Sequence, residues 1–156
     1  MLIEALATPE AAGIRCVIAG EGEEQSVLEQ GIAARGLSSR VRLIGRIDEA
    51  QLLEHLARCR AVCFPPFDED YGFVTVEAFA SRKPVITCID SGGPAELVED
   101  NVNGRVCAPR PDTLAVALRE MMDSASLAER LGTKGLELVS DMTWRSAVGR
   151  LLAVSS

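Results

Sequence analysis

The stretch FDEDYGFVTVEAF, Phe67 to Phe79, decides how this chain is read. It follows a short run, AVCF (Ala61–Phe64), that reads as a strand and that Pro65-Pro66 stops. Proline lacks the N–H that a central strand must donate, so the chain leaves the sheet there. Gly72 then opens an apolar run, Phe73, Val76, Ala78, Phe79 and Ala80, that reads as a buried helix to about Ser81. Two carboxylates bracket the Tyr71-Gly72-Phe73 turn: Glu69 before it and Glu77, eight positions on, inside the apolar run.

Outward from this stretch the same strand, turn and helix recur. RCVIAG (Arg15–Gly20) reads as a strand and Glu24–Arg35 as its helix. VRLIG (Val41–Gly45) is the next strand. Asp48 then caps a helix in which Gln51 completes a capping-box spacing. Leu52, Leu53 and Leu56 form its apolar stripe, with His55, the only histidine, on the polar side. On the far side, PVITCI (Pro84–Ile89) is a strand and SGGP leads into a short helix around Ala95–Val98. GRVC (Gly104–Cys107) is a last strand. The tail changes character: Pro111–Met122, Leu127–Val139 and Thr143–Val154 are helical patterns with no strands between them. Met121 and Met122 read as core, and Trp144 as a packing anchor after Thr143.

Alternating buried strands and helices predict an α/β fold, a Rossmann-like doubly wound parallel sheet with helices on both faces and a helical C-terminal tail. At 156 residues one domain, 1–156, is expected. A doubly wound unit opens with a strand, whereas LIEAL reads as the end of a helix. The expectation is a domain lacking its first strand, a piece of a longer protein.

A net charge of −7 argues against nucleic acid as a partner, because phosphate backbones need a basic face. No apolar run approaches the roughly 18 to 20 residues that span a bilayer, and the N-terminus shows no secretory pattern. The five scattered cysteines read as reduced core residues of a cytoplasmic protein, not as a disulfide framework or metal site.

Ligands of doubly wound sheets bind beyond the carboxyl ends of the strands, where three loops stand out. AGEGEE (Ala19–Glu24) sets Gly20 and Gly22 around Glu21 but lacks the third glycine of a dinucleotide fingerprint. IDSGGPAE (Ile89–Glu96) offers Gly92-Gly93 at another strand exit, and a plain β-to-α turn reads equally well there. The opening stretch carries more. Gly72, Phe73 and Val74 would present free N–H groups to an anion at a helix start. A carboxylate would repel that anion but accepts hydrogen bonds from hydroxyls. Phosphates lying between two hydroxyl-bearing rings, the layout of a nucleotide sugar, would use Glu69, Glu77 and the N–H groups together. Two plainer readings stay open: a solvated Glu69 with Glu77 on a polar helix face, and a metal-binding Asp68-Glu69-Asp70.

These motifs in this order resemble the C-terminal, donor-binding half of retaining GT-B glycosyltransferases of the family-four group. The resemblance runs from AGEGEE through LIGRI (Leu43–Ile47), E-x7-E (Glu69–Glu77), KPVI (Lys83–Ile86) and SGGPAELVEDNVNG (Ser91–Gly104). It implies that Glu77 holds the donor ribose and that Glu69 faces the donor sugar as the catalytic carboxylate. It implies that Gly72, Phe73 and Val74, with Tyr71 beside them, bind diphosphate or sugar hydroxyls. Arg46 and Ile47 would lie against the base, and Gly20, Glu21 and Gly22 would line the same cleft. The implied donor is a UDP- or GDP-linked sugar, with no bound metal and no cofactor. The acceptor, a glycan, lipid or small molecule, would sit mainly on a further N-terminal domain. Family members usually carry an Arg and a Lys gripping the diphosphate just before the helix at which this chain begins, so both are expected to fall outside it. Arg82 stands where the family usually has glycine at the end of the motif helix, in a position expected to be left-handed. The rival readings are a nucleotide-sugar epimerase or sugar phosphorylase of the same fold, and a non-catalytic nucleotide-binding domain.

Overall fold

The structure, a computed structural model, describes residues 1–140 and Met142; Trp144 and the helix expected over Thr143–Val154 lie outside the described residues. The elements run α1 (Leu2–Leu6), β1 (Cys16–Ile18), α2 (Gln25–Ala34), β2 (Val41–Leu43), α3 (Glu49–Arg58), β3 (Val62–Cys63), α4 (Phe73–Ala80), β4 (Val85–Cys88), α5 (Gly93–Leu97), β5 (Gly104–Cys107), α6 (Pro111–Asp123) and α7 (Ala125–Ser140). Every strand pairing is parallel, as the alternation predicts.

The strands form two sheets, β1-β2 and β3-β4-β5, where one sheet was expected. The break follows from edge chemistry. Cys16 and Gly20 donate to the Arg40 and Gly45 carbonyls, each at 2.8 Å, so Val17 between them turns its backbone to the opposite edge. Val62 and Phe64 donate to Pro84 and Ile86 at 3.0 and 2.9 Å, so Cys63 likewise turns away from β4. Neither open edge pairs with another strand among the described residues.

All four residues of β4 are buried, because both faces of this central strand are covered. Ile86 packs into a core with Leu6, Leu114, Leu118 and Met121 from α1 and α6. Val85, one residue back and on the other face, packs with Ala78 and Phe79 of α4 and Val139 of α7. The Arg40 guanidinium gathers the end of α1 by donating to the carbonyls of Ala11 and Ile14, each at 3.0 Å, and to that of Leu6.

Several readings of positions and bounds need correction. The Asp48–Gln51 capping box forms, but Leu53 beyond it is 54% exposed and His55 is half-buried. The inner face of α3 runs Leu52, His55, Leu56, Cys59, an i, i+3, i+4, i+7 set that Leu53 does not join. Met122 is exposed while Met121 is buried, because successive helix residues lie 100° apart. Helix α5 starts at Gly93, ahead of the expected Ala95. β1 and β3 are shorter than their apolar runs.

The cysteines are free thiols. Burial raises the Cys16 thiol from its ordinary 9.0 to about 11 and that of Cys88 to about 12. An acid kept neutral in the fold ionises first in the unfolded chain. Its contribution to stability is therefore complete below pH 9 and is lost as pH rises from there toward 11 to 12. Iodoacetamide labelling of native Cys16 should climb through a midpoint near pH 11; a midpoint at the ordinary 9.0 would contradict the burial.

Helices α4 and α7 meet through glycine. A Cβ on Gly135 would enter the Phe79 ring, and one on Gly132 would strike the Arg82 carbonyl. Gly135→Ala should therefore lower the urea unfolding free energy by about 1–3 kcal/mol through overpacking; an unchanged urea midpoint would show that the two helices separate freely.

Candidate functional site

Pairing is parallel within each sheet, so the carboxyl ends of β1 and β2 lie together, as do those of β3, β4 and β5. After β3, the loop Pro65–Asp70 runs beside the loop Ile89–Gly93 that follows β4. Asp68 N–H donates to the Asp90 carbonyl at 2.9 Å, Glu69 N–H to Ser91 at 3.2 Å, and Gly93 N–H to Glu69 at 2.7 Å. Side chains complete the lock. Thr87 Oγ1 donates to the Phe64 carbonyl at 2.9 Å and Ser91 Oγ to that of Pro66 at 3.0 Å, while Ser91 Oγ accepts from Cys88 N–H. A Cβ on Gly92 would stand 2.5 Å from the Glu69 carbonyl oxygen, so only glycine lets the two backbones approach. Ser91, fully buried, is the residue that sequence reasoning missed; its only signal was a small polar side chain between a strand end and a glycine pair.

Gly72 starts α4 in the left-handed region at φ 68°, and a Cβ there would meet Pro94 and the Phe64 ring. The first accepted bond of the helix comes from Thr75 N–H to the Gly72 carbonyl at 2.9 Å. Among the described residues the N–H groups of Phe73 and Val74 have no backbone partner. They point out of the helix start, at its positive end.

Glu77 is exposed, which corrects its placing inside a buried run. Helix α4 buries Thr75, Ala78 and Phe79 and turns Phe73, Val74 and Glu77 outward. Glu77 lies three and four residues after the free N–H groups and so shares their face. Glu69 is exposed on the other side of Gly72, with its backbone clamped. The structure thus sets the exposed Glu69, Tyr71, Phe73, Val74 and Glu77 around the buried Gly72. Apolar side chains rim it: Phe67 is 83%, Phe73 71% and Ile89 67% exposed. Tyr71 and Phe73 stack at 4.9 Å between ring centroids, tilted by 54°.

Gly20, Glu21 and Gly22 follow β1, and Arg46 and Ile47 follow β2. Gly20 N–H donates to the Gly45 carbonyl at 2.8 Å, which brings these two loops together. They lie at the strand ends of the other sheet, and no hydrogen bond joins them to the Glu69 loop among the described residues. A cavity of about 370 Å³ lies apart from both, between β5 and α6. The candidate site is an open shelf, with Asp68, Glu69, Asp70, Glu77 and Asp90 beside free N–H groups.

Residues 1–137 match the family model described as "Glycosyl transferases group 1", and the chain belongs to that family. It is 32% identical over 154 residues to the alpha-D-kanosaminyltransferase of Streptomyces kanamyceticus, covering 97% of this chain and 40% of that protein. It is 28% identical over 119 residues to the human alpha-1,3/1,6-mannosyltransferase ALG2, covering 76% of this chain and 28% of that protein. Among solved structures, Anabaena Alr3699/HepE in complex with UDP and glucose superposes with a TM-score of 0.80 at 27% identity, over 99% of this chain and 43% of that one. The chain thus spans about two fifths or less of the length of these relatives.

Ser91→Ala removes both of that hydroxyl's bonds, leaving the Pro66 carbonyl and Cys88 N–H unpaired at a cost of about 1–3 kcal/mol. Amide exchange at Asp68 and Glu69 should speed up accordingly, by roughly tenfold or more. Unchanged exchange there would mean that the loop is held without Ser91.

Proposed function

We propose that this chain is the donor-binding domain of a retaining glycosyltransferase that takes its sugar from a nucleotide diphosphate carrier. The observation that carries the reading is the pairing of opposites on α4: free Phe73 and Val74 N–H groups flanked by the exposed carboxylates Glu69 and Glu77. Backbone dipoles meet the diphosphate where a carboxylate would repel it. Carboxylates meet sugar hydroxyls, which the N–H groups alone could not hold on both sides. Glu77 binds the ribose, Glu69 faces the transferred sugar, and the Gly20–Gly22 and Arg46–Ile47 loops line the nucleoside end. The names of two relatives, a kanosaminyltransferase and a mannosyltransferase, support sugar transfer, and a neighbour solved with UDP and glucose supports the UDP member of the UDP- or GDP-linked donor pair.

In the transfer, the bond between the anomeric carbon and the diphosphate oxygen breaks and its electron pair leaves with the diphosphate. Negative charge grows on that oxygen, where fixed N–H donors stabilise it without reorganising. Positive charge grows on the sugar ring, where the Glu69 carboxylate opposes it. The acceptor's oxygen forms the new bond as its proton departs. The acceptor is assigned to a further domain, and the cations that complete the diphosphate site to the segment that in such glycosyltransferases stands just before α1.

Calorimetric titration with UDP, GDP and ADP, with and without magnesium, tests this reading. One nucleotide should bind weakly and independently of metal, and Glu77→Ala should weaken it by about 1.5–3 kcal/mol. Equal binding by the variant would remove Glu77 from the ribose site. The isolated chain should transfer no sugar, and measurable turnover would refute the division of the site between two domains.

A further inference from the structure

The opposite edge of the second sheet carries a different chemistry. Arg60 stands just ahead of β3, and Arg82 and Lys83 just ahead of β4, at the amino ends of the strands. With Cys59, Glu129 and Ala125 at the start of α7, they line a cavity of about 160 Å³. Three cations converge there in a chain whose net charge is −7. None of the three forms an ion pair among the described residues. Lys83 donates one hydrogen bond, to the Ala57 carbonyl at 3.2 Å, and keeps two further donors. Glu129 is the single carboxylate in the lining.

Arg82 adds a second, independent observation. Its φ of 56° is left-handed, a conformation that glycine adopts freely and arginine does not. The surroundings hold it there. Arg82 N–H donates to the Phe79 carbonyl and Lys83 N–H to that of Ala78, both at 2.9 Å, and Gly132 seats its bare backbone against the Arg82 carbonyl. Strain kept at an exposed arginine that lines a cavity points to a use for that residue.

We propose that this pocket binds a phosphate-type anion, with the Arg82 and Arg60 guanidinium groups as its fork and the Lys83 ammonium as a point charge. The two available sources share that chemistry: a soluble phosphate, or the phosphodiester headgroup of an anionic lipid. The site lies at the strand edge opposite Glu69 and Glu77, so neither it nor its failure bears on donor binding.

The test uses the whole chain, titrated with sodium phosphate at constant ionic strength balanced by sodium chloride and followed by ¹⁵N–¹H spectra. Saturable shifts are expected at the amides of Arg60, Arg82, Lys83 and Ala125. Arg82→Gly should weaken this binding about tenfold while the thermal midpoint holds or rises, because glycine relieves the left-handed strain. Arg60→Gln should weaken it at unchanged stability. Sedimentation with phosphatidylcholine vesicles, with and without phosphatidylglycerol, separates the sources. Capture by the anionic vesicles alone, lost in Arg82→Gly, assigns a lipid headgroup; phosphate binding without capture assigns a soluble ligand. Shifts that chloride reproduces, or that both variants leave unchanged, with no capture by anionic vesicles, overturn the proposal.

Discussion

Pairing between β3 and β4 does not stop where the strands stop, and the site depends on that. The Phe64 N–H still reaches Ile86, Thr87 and Ser91 then tie down the carbonyls of Phe64 and Pro66, and Asp68 and Glu69 pair with Asp90 and Ser91. Two loops that would be mobile on their own thereby become an extension of the sheet. Its consequence is positional. Glu69 is an exposed side chain on a clamped backbone, and Gly72 is fixed between Phe64 and Pro94 before α4 begins. A carboxylate on a free loop would lose side-chain and backbone entropy on meeting a ligand; here most of the backbone part is already lost in folding.

The electrostatics of the shelf constrain what can rest on it. Five carboxylates lie in or beside the two loops and the α4 face, so a bare anion approaching from solvent is repelled by most of what it meets. The exceptions are the two outward N–H groups at the start of α4, which act within one turn. An anion seated there must carry hydroxyls on both sides to turn the neighbouring carboxylates from repulsive to binding. The exposed Phe67, Phe73 and Ile89 leave apolar surface around the same spot, which a second wall would cover.

Much of this was legible in order and spacing, because strand–glycine–helix punctuation is local chemistry. The capping box of α3 and the three strand-end loops needed no tertiary information, and the left-handed Arg82 followed from the resemblance, at a position where the family usually has glycine. What misled was inference from sequence neighbours. Glu77 sits among apolar residues in sequence, yet its helix faces solvent on that side, because only Thr75, Ala78 and Phe79 turn inward. Leu53 failed for the same reason, as its helix buries a set of positions to which it does not belong. The split sheet was legible only indirectly. An apolar strand pattern records burial of its faces and carries no mark of whether its edges find partners.

The two ends of α4 present one conformational demand and answer it differently. Gly72 precedes the helix at φ 68° and Arg82 follows it at φ 56°. At Gly72 the answer is steric. A side chain would collide with Pro94 and Phe64. At Arg82 the backbone is equally left-handed, but the side chain has a cavity to enter. The strain there is on the order of 1 kcal/mol, comparable to a single charge-assisted hydrogen bond. The strain at Arg82 is small enough for one charge-assisted contact to offset, whereas nothing could compensate a collision at the other end. The same left-handed geometry leaves a bare backbone before α4 and a guanidinium after it, where the backbone is already sealed by Gly132.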